Sequence, residues 1–413
     1  MSVSQCCCSV ALLLLVGMWL TTPAEAPLPQ AAEVHKLGAT LRGSDCSAAG
    51  IETGDPRHGP SIIVEKFTPG CAIPWHWHTP NEHVMMVSGA FHFEIRGEKP
   101  VEVNAGDFVL IPSHHVSQTT CVGPDSCVDF LYTDAAADMH FVDHGGAEIS
   151  YDQALKDYGK TLVQNAVQVI AEIQRADYAG DRAALVQLHG QLPASANDPK
   201  LAARLVYWRG FALWRRAING FNDGTARPEL RADLENGLAE FNEAADKDPQ
   251  FADAKVGALG CLSLIGYLLV EDGVQIQDAR VQDLFGKMGK LRQQAAALDP
   301  DNPRLLWVLG PNVWKSPPER GGGEVNALAM YERGLATARR TNRPADPLEP
   351  AWGEPELLMS LAYTKLNGAK PDAVAAKQYA EAALKLVPNW HYVRDILLPQ
   401  IRQATTKSNS RVN

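Results

Sequence analysis

The chain has 413 residues, 46% of them apolar and 21% charged, with a formal net charge of −10. These are globular proportions, and the length exceeds one ordinary domain at roughly 150 residues each. The acidic balance leaves no electrostatic footprint for a polyanion, which excludes nucleic acid as an expected partner.

Residues 1–26 read as a secretory signal peptide. The apolar run ALLLLVGMWL is shorter than the ~20 residues of a membrane span, and Ala24 and Ala26 form an A-x-A pattern after it. No Lys or Arg precedes the run and Pro27 sits awkwardly beside a cut at Ala26, so the cleavage point stays open and an uncleaved anchor is the competing reading. The expectation is export to a periplasm or the extracellular space, with no stable membrane span after cleavage. Beyond Cys6, Cys7 and Cys8, the chain carries Cys46, Cys71, Cys121, Cys127 and Cys261. Cys121 and Cys127 bracket the turn-rich VGPDS and are expected to pair across a hairpin; Cys46 and Cys71 could pair as well, although spacing does not fix connectivity. Cys261, in the apolar run GALGCLSLIGYLL, reads as an inert core thiol.

From 34 to 144 the chain reads as β structure. SIIVEKF, HVMMVSG, AFHFEI, DFVLIP and CVDFLY recur with Gly, Pro, Asn or Asp between them, the mark of a sandwich or barrel. Within this region Gly70 to Gly89 spells GCAIPWHWHTPNEHVMMVSG. Side chains two apart on a strand share a face, so His76 and His78 project together while Trp75 and Trp77 go outward. Thr79-Pro80-Asn81 reads as a turn that returns the chain, letting Glu82 add a carboxylate from the neighbouring strand. Two imidazoles and a carboxylate make a first-row metal site with open positions, compatible with Fe, Mn, Zn, Ni or Cu.

Gly70-x5-His76-x-His78-x3-Glu82-x6-Gly89, followed by Gly106-x5-Pro112, resembles the two motifs of the cupin superfamily over about a quarter of the chain. The resemblance implies an all-β jelly-roll barrel around a divalent metal, with a small-molecule ligand in the barrel. It makes His76, His78 and Glu82 the first three metal ligands. The second motif departs from the pattern: where the family has a glycine and then its fourth ligand histidine, this chain has His114 and Ser117. Three readings stay open: a three-ligand site completed by water or substrate, His115 substituting through a shift of register, or a weakened, non-catalytic site. The bland alternative for the motif is a relic barrel that keeps it for packing, although burying such groups without a partner is costly. His58, His83, His92, His140, His144 and His189 read as ordinary core or surface histidines, and Met86 and Phe108 as pocket or core lining.

After Gly145-Gly146 strand alternation gives way to helical periodicity, in TLVQNAVQVIAEIQRA, RAALVQLHGQL, LAARLVYWRGFALWRRAI and ELRADLENGLAEFNEAA. Ala244 to Pro249, Ala295 to Pro300 and Ala383 to Pro388 repeat a small residue five before a proline, where one helix ends and another opens. This resembles tetratricopeptide repeats over residues 147–403, with proline spacing beyond the usual period of about 34. The resemblance implies an all-α solenoid whose concave face binds a protein or peptide partner. Gly321-Gly322-Gly323 has no preceding strand and no following Gly-Lys-Ser/Thr, so it reads as an inter-helix loop. Trp352, in another loop-like stretch, is a candidate anchor for the next helix, and residues 404–413 are expected to be a disordered tail. Two functional classes follow. One is a metal-dependent cupin enzyme acting on a small oxygen-rich substrate by dioxygenase-like or Lewis-acid chemistry, in which Glu82 could serve as a base if it leaves the metal. The other is a ligand or metal sensor whose repeats recruit a partner.

Overall fold

The computed structural model describes residues 34–36, 40–43, 46–122, 125–341 and 344–412, with side chains of the last helix only to residue 406. The expected signal peptide lies outside the described residues. Strands occupy the first part of the unit Thr40–Asn413 and helices the rest. The strands are β1 (Arg42–Gly43), β2 (Ser47–Gly54), β3 (Ser61–Phe67), β4 (Ala72–Trp77), β5 (Glu82–Ser88), β6 (Ala90–Ile95), β7 (Val101–Asn104), β8 (Phe108–Ile111), β9 (Ser117–Val122), β10 (Cys127–Thr133) and β11 (His140–Phe141). They form two antiparallel sheets, ordered β1-β2-β3-β10-β5-β8 and β11-β4-β9-β6-β7. This is the expected jelly roll.

Alternation along each strand builds its core. In β4, Ala72, Pro74 and His76 are buried while Ile73, Trp75 and Trp77 are only partly so. Phe67, Val84, Met86, Phe91, Phe93, Val103, Ile111 and Leu131 fill the space between the sheets. Phe108 departs from the expectation of core lining: it is 56% exposed. It precedes the buried Ile111 by three residues on β8, so strand parity turns it outward. β4 and β5 also differ from a simple pair of neighbours. They lie in opposite sheets, so Glu82 faces the histidines across the barrel.

The glycines that bound the motif are fixed by backbone geometry. Gly70 has φ +84 and a Cβ there would lie 2.5 Å from the Ser195 carbonyl oxygen; Gly89 has φ +71 and its Cβ would lie 2.8 Å from that of Ser126. An L side chain meets both strain and collision at these two turns. The cysteines pair as Cys121–Cys127 and Cys46–Cys71, with Cα atoms 5.8 and 5.5 Å apart, and Cys261 is buried and free; the first pair departs from the expected hairpin, because β9 and β10 lie in different sheets.

The helices are α1 (Tyr151–Ala179), α2 (Arg182–Gln191), α3 (Pro199–Asn222), α4 (Arg227–Lys247), α5 (Ala252–Glu271), α6 (Ala279–Leu298), α7 (Pro303–Lys315), α8 (Glu324–Thr341), α9 (Glu354–Asn367), α10 (Ala373–Leu386) and α11 (Leu398–Val412), with a π-helical turn at Tyr392–Leu397. Starts and stops follow local chemistry: Asp198 caps α3 ahead of Pro199, Asn302 caps α7 ahead of Pro303, and Gly180 ends α1 in the left-handed region. Each helix packs on its sequence neighbours, and Pro249, Pro300 and Pro388 all fall between helices. α3 is the hub, with Tyr207, Trp208, Phe211 and Trp214 each 1% exposed. Trp352, from the loop before α9, donates its indole N–H to Tyr207 at 2.9 Å, anchoring that loop on α3. Helix α5 is long and apolar enough to cross a bilayer, but 61% of that window is buried inside the protein, as a core helix would be. Residues 404–412, expected to belong to a disordered tail, have helical backbone in α11.

Barrel and helices meet beside the motif. Asn197 donates to the Ala72 carbonyl at 3.2 Å and accepts from the Ala72 N–H at 3.4 Å. The rings of Phe141 and Tyr151 lie 4.9 Å apart.

Candidate metal centre

His76 and His78 leave β4 on the same side, and Glu82 arrives at the head of β5 from the facing sheet. One potential ligand atom from each of the three lies within 4.8 Å of the others, and all three side chains are buried. The imidazoles are held in one tautomer. His76 Nδ1 donates to the Pro74 carbonyl at 2.7 Å, and His78 Nδ1 donates to the carbonyl of Asp138. Each Nε2 is therefore a bare lone pair, the form that ligates a metal. His78 Nε2 lies 3.2 Å from the Glu82 carboxylate.

Electrostatics agree with a site prepared for a cation. Burial, reinforced by His78, pushes the His76 pKa down to about 3, so this ring is neutral at physiological pH. Burial also lowers His78, against the opposing pull of its bond to Asp138. Burial raises Glu82 to about 8, with Glu65 and Asp138 adding repulsion. A carboxylate reluctant to ionise alone is one that a divalent cation would draw into its charged form.

Ser117 occupies the position where the resemblance expects a histidine. It pairs directly with His76 across β4 and β9, is 1% exposed, and its hydroxyl has no hydrogen-bond partner among the described residues. A buried hydroxyl without a partner is costly and marks a place where a ligand oxygen or water would be received. The set of two imidazoles, one carboxylate and a waiting hydroxyl fits a divalent metal with open positions. His115 does not join the set. It is exposed on the loop before β9, with Nδ1 3.4 Å from the Ser113 carbonyl. His114, in the left-handed region at φ 62, stacks on Trp77 at 4.6 Å, so the outward tryptophan draws this loop away from the barrel interior. Of the histidines set aside, His58 pairs with Asp55 and His189 with Glu240.

Three acidic residues here escaped the sequence reading. Asp138 holds the turn through its carboxylate, which accepts from the Thr79 N–H at 2.7 Å, and positions His78 through its carbonyl. Its loop offers no periodic signal. Asp129 points inward from β10 between Cys127 and Leu131, is 1% exposed, and neither carboxylate oxygen has a partner among the described residues. Burial lifts its pKa to about 9, with Glu65 and Glu82 contributing, and burial lifts its cross-strand neighbour Glu65 to about 7. Its parity with Cys127 and Leu131 was the available signal.

Comparison with known proteins bears on the barrel. Residues 63–129 match the family model described as Cupin domain, and no curated protein matches the chain. Solved structures similar to it include KdgF from Halomonas sp., 24% identical over 23% of this chain and 86% of that one with a TM-score of 0.21. A cupin 2 conserved barrel domain protein from Rhodopseudomonas palustris is 18% identical over 28% and 77%, with a TM-score of 0.22. Oxalate decarboxylase from Bacillus subtilis is 19% identical over 23% and 27%, with a TM-score of 0.21. Motif, jelly-roll sheets and family model converge on one statement: residues 63–129 are a cupin domain, followed by a helical region, with a His76, His78 and Glu82 cluster that could hold a metal.

Proposed function

We propose that this protein binds one divalent metal through His76, His78 and Glu82 and uses it on a small oxygen-rich organic ligand held in the barrel. The observation that supports this most is the pair of buried imidazoles whose Nδ1 atoms are both committed to backbone carbonyls. When bound, the metal supplies Lewis acidity to a carbonyl or carboxylate, or redox chemistry with dioxygen. The chain's own groups do the remainder. Ser117 hydrogen-bonds a ligand oxygen beside His76, Asp138 keeps His78 in register, and the surrounding core excludes water. On this reading the chain is exported by its first 26 residues, the barrel spans residues 34–144, and residues 147–403 form a tetratricopeptide-like solenoid for a protein partner.

A sensor or scaffold is the second reading, favoured by one observation. The fourth ligand expected of the family is replaced by Ser117, and His115 does not compensate. Elemental analysis of the metal-replete protein is expected to give about one equivalent, lost in His76→Ala; a metal-free wild type would overturn both readings. Oxygen uptake or product formation across phenolic, diketone and sugar-acid substrates would then favour the enzyme, and ligand binding without turnover the sensor.

A further inference from the structure

The helical region carries a half-open cavity of about 500 Å³ that the barrel's chemistry does not use. Organic ligands occupy pockets of ~300–1,000 Å³. Its floor includes the buried Trp214, Tyr331 and Trp390, while its rim includes Tyr267, 45% exposed, and Tyr363, 40% exposed. Trp307 and Trp314 complete an aromatic wall, with Trp214 to Trp307 at 5.8 Å and Trp314 to Tyr363 at 5.9 Å between ring centroids.

Two helix irregularities lie in that wall. Pro311, inside α7, has no N–H to give the carbonyl of Trp307 one turn earlier. Tyr392 opens the π-helical turn that leads into α11. π-Helical turns give up regular hydrogen bonding and recur at functional sites. Both interruptions border one cavity.

Charge selects the class of ligand. Among the described residues no carboxylate lines the cavity, and its charged groups are Arg215 and Lys315. Arg215 is neutralised from behind by Asp177 at 2.7 Å and Glu356 at 3.4 Å. Lys315 is exposed, sits 5.9 Å above the Tyr267 ring, and has no ion-pair partner among the described residues. An aromatic cavity could also attract a cation, but a free ammonium at its mouth repels one.

We propose that this cavity is a binding site for a ring-bearing monocarboxylate, its rings among the tryptophans and tyrosines and its carboxylate on Lys315. The test is calorimetric titration of the full chain with 3-indolepropionate, its primary amide and the matching primary amine, with equilibrium dialysis as a second readout. The acid is expected to bind one-to-one, the amide about tenfold more weakly, as loss of a charge-assisted contact implies, and the amine not at all. Lys315→Gln should lower the acid's affinity about tenfold and leave the amide's unchanged. Ser263→Trp, with helicity checked by circular dichroism, should fill the cavity and abolish binding. His76→Ala should leave binding intact, separating this site from the barrel. Absence of acid binding, equal binding of the three probes, preference for the amine, or an unchanged acid affinity in Lys315→Gln would each overturn the proposal.

Discussion

At the scale of single residues, the barrel interior keeps polar groups that its fold alone does not satisfy. Ser117 is the clearest, because the cross-strand pairing with His76 places its hydroxyl at the cluster with nothing to bond. Ser117→Ala should therefore raise the stability of the metal-free protein by about 1 kcal/mol, read as a higher midpoint in urea, while leaving metal content at about one equivalent. Asp129 makes a second case. Its pKa of about 9 in the fold exceeds the ~3.9 of an unfolded aspartate. The folded state thus keeps a proton that the unfolded state has released, so this contribution is fully present below pH ~4 and is lost as pH rises towards 9. Asp129→Asn should flatten the loss of metal-free stability between pH 6 and 8 by up to about 1.4 kcal/mol per pH unit, measured by urea melts across that range. An unchanged slope would show that Asp129 is ionised in the fold.

At the scale of elements, the motif works because two turns hold β4 and β5 against different sheets. Both turns depend on a backbone that only glycine tolerates: Gly70 against Ser195, and Gly89 against Ser126. Gly89→Ala should cost about 1–3 kcal/mol and lower metal occupancy, because β5 carries Glu82; Gly97→Ala, with open space around its Cβ, controls for positive φ alone. Much of this element-level design is legible in the sequence. His76 and His78 share a face because strand period is local, and Thr79-Pro80-Asn81 announces a turn. The sheet to which β5 belongs is not legible, since it is set by pairing with β10, whose residues lie about forty positions later. His115 failed for a related reason: strand parity places it with Ser117, but β9 begins only at Ser117, and before that point the loop follows the stacking of His114 on Trp77.

For the whole molecule, polar contacts between barrel and helices among the described residues include Asn197 with Ala72 and Tyr158 with Thr120. The helical region has its own cores, built around α3 and around α9 with α10. Metal added at one hundred times its dissociation constant should stabilise the barrel by about 2.7 kcal/mol. The barrel transition, followed by hydrogen exchange at the β4 and β5 amides, should move upward by several degrees, whereas the helical signal at 222 nm should stay in place. Parallel movement of both signals would show that the two regions unfold as one cooperative unit.

The sequence by itself determined the order of a β region and a helical region, the pairing of Cys121 with Cys127, which bridges the two sheets rather than a hairpin, and the cluster of His76, His78 and Glu82; the jelly roll was what the resemblance implied. The bridge and the cluster rest on spacing within one or two neighbouring elements, where short sequence separation or backbone period decides which side chains can meet. Tertiary structure decided the rest. It set Glu82 across the barrel rather than beside its histidines, left Ser117 and Asp129 buried without partners, turned His115 outward, and gathered Trp214, Lys315, Tyr363 and Trp390 around one cavity. Those arrangements join residues far apart in the chain, and only the packing of whole sheets and helices brings them together.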